Sequence, residues 1–384
     1  MAGRVVITGA GAVSALGWGV ESLWEGLLAG RSGFAPVRLF DASRYQAKMA
    51  AEVDWAGAAL RGFDRGHELA LAAAEEAVRS SGAELSGERS AVAVGTTLGG
   101  NDRWLAWLAD PAQPLERSSL DAGTRLLAGR YGARGPALTL SVACASGTAA
   151  IGAAAELIRR GEADRALAGG YDALSEFVFS GFDSLRALST TAVRPFDRRR
   201  DGLGLGEGAA FVVLEREEEA RRRGAGVLAA VTGYGSAGDA HHMTRPSRSG
   251  DGIHRAALAA MAQARVRPDD IAFVSAHGTA TSFNDRMEAA AFERLFGGRR
   301  VPVNSIKSAV GHTLGAAGAL EAILSALVLE RSVIPPTVGY QEHDPECALD
   351  VVAGAPRELR AARTVLSTSS AFAGTNAALV LEAA

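Results

Sequence analysis

The sequence predicts an α/β fold in which helices cover the faces of the sheets, and three observations predict it. Short apolar runs with strand character alternate with alanine-rich helical segments along the chain. These runs are typical of strands that are buried beneath helices. The alternation then begins again in the second half of the chain, which indicates an internal duplication.

The individual elements follow from this alternation. In the first half, the predicted strands cover residues 4–11, 88–96, 137–143, 165–172 and 209–215, and the predicted helices cover 67–82 and 148–162. In the second half, the predicted strands cover residues 227–235, 271–278, 301–308 and 364–372, and the predicted helices cover 252–266, 287–296 and 314–332.

Two pairs of matching segments support the duplication. Each half opens on a strand with spaced glycines, VITGAG at 6–11 and VTGYG at 231–235. Each half also has a reactive side chain ahead of a helix of small residues, in CASGTAAIGAAAELI at 144–158 and HTLGAAGALEAILSAL at 312–327. Such helices are common in alanine-rich chains, so the repeat signal alone is weak.

The boundary between the halves is predicted from charge. No long linker separates them, and EREEEARRRG at 215–224 is typical of a solvated helix tail. We therefore predict an N-terminal half at 1–225 and a C-terminal half at 226–384.

The bulk composition argues against several classes of protein. The 384 residues carry a net charge of −3, so no basic field indicates binding to nucleic acid or to a membrane surface. The two cysteines lie far apart and make no disulfide framework. No apolar run approaches the roughly 20 residues of a membrane span, and MAGRVVITGAG lacks the apolar region of a secretion signal. We expect a cytoplasmic protein.

One glycine-rich segment resembles a dinucleotide fingerprint but departs from it. GAGAVSALG at 9–17 follows an apolar strand, yet Ser14 stands at the third glycine position. No strand with a terminal acidic residue follows about 20 residues later. We interpret the segment as a tight structural turn.

Cys144 is the leading candidate for a nucleophile. It lies in LTLSVACASGTAAIGAAA at 138–155, between an apolar run and a predicted helix start. Unpaired backbone N–H groups and the helix dipole at such a position favour the thiolate, which is the nucleophilic form. Taken alone, a buried inert cysteine is the simpler interpretation. Cys347, in EHDPECALD, has no comparable setting and receives no role.

Two histidines strengthen this interpretation. His277 lies in AHGTAT and His312 in IKSAVGHTLGAAG, each in a loop of small residues after a predicted strand. Lys307 stands five residues before His312. Asp285 and Glu288 follow His277, and we expect them either to orient the histidine loop or to pair with Lys307.

Metal binding is the competing interpretation of these histidines. His277 and His312 are far apart in sequence, without the compact spacing typical of metal ligands. The adjacent His241 and His242 have no metal-binding spacing either. We therefore expect no metal.

Several motifs together resemble one family, the β-ketoacyl-[acyl-carrier-protein] synthases of the elongating type I/II, including the ketosynthase subunits of type II polyketide synthases. The resemblance runs from VVITGAG to the C-terminus, and its motifs are VACASG around Cys144, RPFDRRRDGLGLGEGAAFVVLE (194–215), GDAHHMTRP (238–246), AHGTAT, NSIKSAVGHTLGAAG and GTNAALVLE (374–382). It implies the thiolase fold, two duplicated α/β halves in a five-layered α-β-α-β-α core, usually dimeric.

The same resemblance implies a decarboxylative Claisen condensation with ping-pong order. Cys144 would carry the acyl chain, while backbone N–H groups of Cys144 and Phe372 would stabilise the oxyanion. His277 and His312 would both donate Nε2–H to the malonyl enolate. Lys307 and Glu288 would fix the histidine loop and the charge balance around it. The positions implied for substrate binding are Thr279, Thr281 and Phe182.

The implied partner is an acidic acyl carrier protein, which delivers its phosphopantetheine, so no separate cofactor is expected. Docking calls for a local basic patch, and the candidates are Arg61, Arg65, Arg198, Arg199 and Arg200. For any one of these, a solvated arginine is an equally good interpretation.

Two segments depart from the family pattern or vary within it. The gating motif F-G-F-G-G-T-N reads SAFAGTN here, so Ala371 and Ala373 replace glycines and Ser370 replaces an aromatic residue. Alanine has a narrower φ/ψ range than glycine, so we expect this gating loop to rest or move differently. Because the loop gates the pocket, the acyl selectivity of the family does not carry over directly. Segment 101–121, with Trp104 and Trp107, lies where the family's acyl-pocket and dimer elements vary most.

Three other functions stay open from the sequence. The chain is either a housekeeping fatty-acid enzyme or the catalytic subunit of a heterodimer with a chain-length factor, making a polyene or another specialised product; the gating departures favour the latter. A catalytically silent subunit is disfavoured because Cys144, His277 and His312 are all present. A thiolase-like enzyme acting on CoA esters is disfavoured because Cys347 is not in the expected motif.

Overall fold

The computed structural model describes residues 3–56, 58, 62–113, 115–359 and 363–384. The strands are β1 (Val5–Ser14), β2 (Gly17–Trp18), β3 (Ala35–Pro36), β4 (Met49–Ala50), β5 (Ser90–Gly95), β6 (Ala137–Leu140), β7 (Arg165–Asp172), β8 (Gly208–Arg216), β9 (Ala229–Gly238), β10 (Phe273–Ser275), β11 (Pro302–Asn304), β12 (Val333–Ile334), β13 (Asp350–Val351), β14 (Arg357–Glu358), β15 (Thr364–Ser370) and β16 (Thr375–Glu382). The helices are α1 (Val20–Leu28), α2 (Arg65–Ser81), α3 (Asn101–Ala109), α4 (Ala122–Tyr131), α5 (Ser146–Arg159), α6 (Glu176–Ser184), α7 (Glu217–Arg222), α8 (Asp251–Ala264), α9 (Ser282–Phe296), α10 (Lys307–Val310) and α11 (Ala317–Arg331).

The main sheet repeats one pattern of strand pairing on either side of its centre. Its order is β13-β11-β10-β15-β16-β9-β1-β8-β7-β5-β6, and the two halves meet where β1 pairs with β9. Going outward, β1–β8 and β8–β7 are antiparallel, while β7–β5 and β5–β6 are parallel. The series β9–β16, β16–β15, β15–β10 and β10–β11 follows the same rule. The predicted duplication is therefore confirmed in the topology.

Helices pack on the strands in three layers. The α2 helix covers the outer face of β1, β7 and β8, and α8 covers the outer face of β9, β15 and β16. Between the two sheet halves, α5 packs on β5 and β7, α11 packs on β15 and β16, and the two helices touch each other. This gives five layers, α-β-α-β-α, as predicted. The largest apolar cluster among the described residues includes side chains of the two central helices α5 and α11.

The glycine pairs that mark the two halves serve helix packing. Gly9 and Gly11 lie within β1, and Gly233 and Gly235 lie within β9. A Cβ built at any of the four would lie 2.0–2.2 Å from a backbone oxygen of α2 or α8. The interpretation of 9–17 as a tight turn is therefore wrong for its first half, because these glycines let a helix backbone approach a strand.

Three predicted boundaries near the site are also wrong. The strand predicted at 137–143 ends at Leu140, the strand predicted at 301–308 ends at Asn304, and the helix predicted at 287–296 begins at Ser282. The two strands end earlier than their apolar patterns indicate because the chain turns into the site there, whereas the helix begins five residues earlier than its apolar pattern indicates. Separately, no helix in the described ranges is both long enough and apolar enough to cross a membrane.

Candidate active site

Cys144 lies at the tip of a tight turn between β6 and α5. Ala143 adopts φ 50°, a left-handed conformation that costs an alanine about 1–2 kcal/mol. The Ser146 hydroxyl closes the turn, because its Oγ donates to the Ala143 carbonyl at 2.6 Å and accepts from the Val142 N–H at 2.9 Å. The helix begins at Ser146, with Ala145 as its N-cap, so it starts two residues closer to Cys144 than the predicted start at residue 148.

Glycines allow the segments that carry Cys144 and His312 to meet. A Cβ on Gly147 would lie 2.6 Å from the Gly315 carbonyl oxygen, and a Cβ on Gly318 would lie 2.0 Å from Thr148 Oγ1. Both contacts are closer than any real Cβ allows. The small-residue runs of α5 and α11 therefore let these two elements cross at backbone distance.

Cys144, His277 and His312 converge although 168 residues separate the first from the last. Cys144 Sγ lies 2.9 Å from His312 Nε2. The two imidazole rings pack edge to face with centroids 5.3 Å apart. All three side chains are buried, with 6%, 2% and 1% exposure respectively. The structure thus places the three residues selected from the sequence in one site.

The protonation states follow from burial and from one lysine. Burial raises the pKa of Cys144 to about 12, although Lys307 and the backbone N–H groups of Cys144 and Phe372 lower it. Burial, and then the charge of Lys307, hold the pKa of both His277 and His312 well below the usual range. Burial thus works against the resting thiolate that the helix-end position indicates, and Cys144 Sγ lies within hydrogen-bond distance of His312 Nε2.

Lys307 fixes the tautomer of His277. Its ammonium group donates to the His277 carbonyl at 2.6 Å and lies 3.2 Å from His277 Nδ1. Because a lysine ammonium can only donate, Nδ1 must accept, and the ring proton of neutral His277 then sits on Nε2. The two histidines thus differ: His277 offers a donor at Nε2, whereas His312 Nε2 lies against the Cys144 sulfur.

The acidic residues around the loop have separate partners. Glu288 accepts the N–H groups of His277 at 2.8 Å and Gly278 at 2.7 Å, and burial raises its pKa to about 7. It therefore orients the histidine loop, and the alternative pairing with Lys307 is wrong. Asp285 accepts the Phe196 N–H at 2.7 Å instead.

Glu321 is the partner of Lys307 and was missed from the sequence. It lies within α11 at 1% exposure, and Lys307 Nζ donates to its Oε1. Burial raises the pKa of Glu321 to about 7, while Lys307 lowers it. A single acidic residue in the otherwise apolar GALEAILSAL was the available signal, because buried charges in proteins are normally paired.

The site opens into a cavity of about 410 Å³ lined by Cys144 and both histidines. Phe182, predicted to bind substrate, and Phe372, predicted at the oxyanion and gating position, stack in its wall with ring centroids 5.4 Å apart. Thr279 and Thr281 also line it, with their hydroxyl oxygens 2.9 Å apart. The cavity can therefore hold a chain that reaches the thiol from outside.

The loop after β15 closes one side of this cavity. Ala373 adopts φ 63°, a conformation suited to glycine, whereas Ala371 is extended at φ −130°. The Ala373 N–H donates to the Met243 carbonyl at 2.6 Å, and the Asp239 N–H donates to the Gly374 carbonyl at 2.7 Å. The substitution at Ala373 therefore leaves the loop closed but strained.

Among the described residues, the arginines predicted to dock the carrier protein do not form one exposed basic patch. Arg200 is 9% exposed and donates to Asp344, and Arg65 pairs with buried Glu207 while its guanidinium group lies 4.6 Å from the centroid of the Trp55 ring. Both predictions of a docking role are wrong, since these guanidinium groups are engaged in internal ion pairs.

Other cations stand at the surface. Arg198 and Arg199 are exposed, both within ion-pair distance of Glu342. Arg61 lies outside the described residues. Two arginines that the sequence did not single out, Arg186 and Arg245, are exposed at the cavity mouth.

The cysteine and histidine atoms could geometrically reach one metal ion, since they lie within 4.8 Å of one another. The surroundings oppose this. The Lys307 ammonium contacts Nδ1 of His277, so a metal ion at Nε2 would share this ring with a second cation. Metal-bound histidines normally donate a hydrogen bond from their second nitrogen. Nδ1 of His312 is buried with no such partner among the described residues. The expectation of no metal stays a prediction.

Comparisons with known proteins agree with this geometry. Residues 2–220 match the family model "Beta-ketoacyl synthase, N-terminal domain" and residues 228–341 match "Beta-ketoacyl synthase, C-terminal domain". The tetracenomycin polyketide synthase ketoacyl synthase alpha subunit of Streptomyces glaucescens is 42% identical over 98% of this chain and 96% of that protein. The 3-oxoacyl-[acyl-carrier-protein] synthase 2 of Coxiella burnetii is 37% identical over 98% of both.

A solved structure extends the match to three dimensions. The ishigamide ketosynthase/chain length factor superposes with a TM-score of 0.94 and 39% identity over the whole of both chains. The fold is thus the thiolase fold of the ketosynthases. The chain belongs to the β-ketoacyl synthase family.

Proposed function

We propose that this chain is the catalytic β-ketoacyl synthase that condenses a Cys144-bound acyl group with malonyl carrier protein, in fatty acid or type II polyketide biosynthesis. The observation that carries the proposal is the buried 2.9 Å contact between Cys144 Sγ and His312 Nε2, beside a His277 whose Nε2–H is free to donate. A thiol with a base and a separate neutral donor are the groups that acyl transfer and enolate stabilisation each require.

In the loading step, the Cys144 sulfur attacks the carbonyl carbon of an acyl thioester. The thiol proton moves to His312 Nε2 and then to the leaving pantetheine sulfur. The carbonyl oxygen becomes an oxyanion facing the backbone N–H groups of Cys144 and Phe372, both of which are near enough to Sγ to lower its pKa. Collapse of the intermediate leaves an acyl thioester on Cys144.

In the condensation step, malonyl thioester loses CO₂ and its carbon–carbon electron pair moves into an enolate. His277 Nε2–H donates to the enolate oxygen, held in place by Lys307 and Glu288. The enolate carbon attacks the acyl carbon on Cys144, the carbon–sulfur bond breaks, and the released thiolate takes up a proton. Burial of all these side chains limits the access of water to the carbanion.

No bound cofactor takes part in these steps, and the pantetheine arm arrives on the carrier through the mouth at Thr279 and Thr281. We place the enzyme in the cytoplasm, which is supported by two free cysteines. We also place the boundary of its two halves at residues 225 and 226, after the charged helix α7.

The chain is proposed to act with a second ketosynthase-fold subunit. Helix α3 and the segment after it expose Trp104, Leu108, Leu115 and Leu120 by 42–52%. Exposed apolar residues in such numbers favour a protein interface. The name of the ishigamide relative includes a chain length factor. Native mass measurement of the purified chain separates a homodimer from a chain that awaits a different subunit.

The test is intact-mass analysis of the protein after incubation with a panel of acyl carriers. The unmodified protein should gain one acyl group, and Cys144→Ala should gain none. Cys347→Ala is the matched control, because Cys347 is also buried but lies in a different apolar cluster. Acyl transfer to the Cys144→Ala variant would show that the nucleophile is misassigned.

A further inference from the structure

Asp172, at the end of β7, is a fully buried carboxylate that the mechanism above does not use. Its Oδ1 accepts from Thr96 Oγ1 at 2.7 Å and from the Leu98 N–H at 2.9 Å. Its Oδ2 accepts from the Thr97 N–H at 2.9 Å and from the Gly315 N–H at 2.7 Å. One side chain therefore ties the end of the β5 strand to the segment that follows His312.

The segment that Asp172 holds is confined on several sides. A Cβ on Gly147 or Gly170 would lie 2.6 or 2.3 Å from the Gly315 carbonyl oxygen, so the Gly315 peptide sits in a socket between them. Leu314, just before it, adopts φ 52°. A leucine in this conformation costs about 1–2 kcal/mol and persists only where its surroundings hold it there. The hydrogen bond from Gly315 to Asp172 is one such restraint.

This strained peptide lies directly beyond His312. The backbone of His312 itself is fixed by two hydrogen bonds. Its N–H donates to the Gly204 carbonyl at 2.7 Å, and its carbonyl accepts from the Gly206 N–H at 3.1 Å. Three residues after His312, the Gly315 N–H donates to the Asp172 carboxylate, which holds the end of this segment in place. We propose that Asp172 is a positioning residue for His312, which keeps His312 Nε2 against Cys144 Sγ by holding the strained peptide at Gly315.

This proposal rests on the function proposed for His312. It predicts that loss of Asp172 lowers the reactivity of the Cys144 thiol, whereas a simple charge effect would raise it. The groups that face Cys144 are His277, His312, Lys307 and Asp172. The charge of Asp172 raises the pKa of Cys144, so loss of that charge alone would make the thiol more reactive. Loss of the His312 contact would instead make it less reactive, because the thiol would lose its base.

The experiment measures the rate at which iodoacetamide alkylates Cys144, followed by intact mass and peptide mapping at a fixed pH. Asp172→Asn should slow alkylation by about tenfold or more. In a His312→Ala background, the same substitution should no longer slow alkylation, because the contact it supports is already absent and only the opposite effect of the lost charge remains. The measurement needs no carrier and no condensation, so it can support the positioning role even if the proposed function fails.

Asp197→Asn is the matched control. Asp197 is equally buried and also accepts backbone N–H groups, from Arg199, Gln341 and Glu342, but not from the His312 loop. It should leave the alkylation rate of Cys144 unchanged. If Asp172→Asn does not fold, Asp172→Glu, which keeps the charge and displaces it by one methylene, is compared in the same two backgrounds.

Two results would overturn the proposal. Equal slowing with and without His312 would show that Asp172 supports the fold generally. Faster alkylation in Asp172→Asn would show that its charge, and not its hold on Gly315, is what reaches Cys144.

Discussion

At the scale of single residues, the two histidines occupy different electrostatic positions although the sequence offers them as a pair. Lys307 faces Nδ1 of His277, and the thiol faces Nε2 of His312. The resemblance implies that both donate to the enolate. We propose instead that the two histidines have different roles, with His312 serving the thiol and His277 serving the malonyl group, on the ground of these two contacts.

This division predicts distinct effects on the two half-reactions. His312→Ala should slow acyl transfer to Cys144 by about two to four orders of magnitude, which is the usual contribution of a general base. His277→Ala should slow CO₂ release from malonyl carrier by about two to three orders of magnitude, as expected for one oxyanion-type donor, and should spare loading. Labelled acyl transfer and labelled CO₂ release are measured on the same preparations. A His277→Ala variant that fails to load would contradict the assignment.

A second prediction concerns the charge of these histidines. Because burial and Lys307 hold the pKa of both rings well below 6.5, both stay neutral at every pH above that depressed value. In protein labelled at the histidine ring carbons, the signals of His277 and His312 should therefore not move between pH 7.5 and pH 6. His277→Gln and His312→Gln assign the two signals. A titration with its midpoint near 6.5 in either ring would show that the ring is solvated.

The identity of the site residues was predictable, but their protonation was not. Cys144, His277 and His312 each follow an apolar run and precede small residues, and this local pattern was enough to select them. The pKa of Cys144 depends on burial by distant elements, and the partner of Lys307 is 14 residues away on another helix. Local sequence around a cysteine at a helix start carries neither piece of information.

At the scale of elements, the gating loop shows how a substitution stores strain. Ala373 keeps the φ of 63° that a glycine would adopt freely, and its N–H stays bonded to Met243. Ala373→Gly should therefore raise the free energy of unfolding by up to about 1 kcal/mol, because the left-handed penalty of alanine disappears. Ala371→Gly is the matched control: at φ −130° it relieves nothing and should lower stability by roughly 0.5–1 kcal/mol. Urea unfolding measures both, and equal changes would contradict the strain argument.

The elements that the sequence predicted are those with long, uninterrupted apolar patterns. The strand at 165–172 is found at the predicted residues, and the helix at 252–266 is found at Asp251–Ala264. In contrast, β16 was not predicted as an element although it lies at the centre of the sheet. Only the tight turn at Phe372–Gly374 separates it from β15, and a turn of this kind is not marked by a polar break.

At the scale of the whole molecule, the duplication explains why one site draws on both halves. The Cys144 turn comes from the first half, and the two histidine loops come from the second. Both sets of loops follow strands or helices of the central layers, so the crossing of α5 and α11 brings them together. The alternation of apolar strand-like runs with helical segments was enough to predict the fold class and the duplication. The crossing itself depended on glycine contacts between segments about 170 residues apart, which no local pattern reveals.

The surface that meets the carrier protein yields the last prediction. Arg65 and Arg200, which were among the sequence candidates, are held in internal ion pairs, whereas Arg186 and Arg245, which were not, line the cavity mouth that the proposed carrier would meet. Charge reversal at Arg186 or Arg245 should raise KM for an acidic carrier by about tenfold at low salt, with little change in kcat, because a rim charge acts mainly on encounter. Added salt should shrink the difference from the unmodified enzyme.

Two controls separate the mouth from net charge and from the original patch. Arg267→Glu changes the net charge equally at an exposed position between α8 and β10 that does not line the cavity, so it should leave KM unchanged. Arg198→Glu tests the exposed part of the first patch, where Glu342 already compensates the arginine and a smaller rise in KM is expected. Steady-state kinetics with carrier as the varied substrate decides between them. If Arg267→Glu raises KM as much as Arg186→Glu does, the overall charge of the chain governs docking and the mouth has no special role.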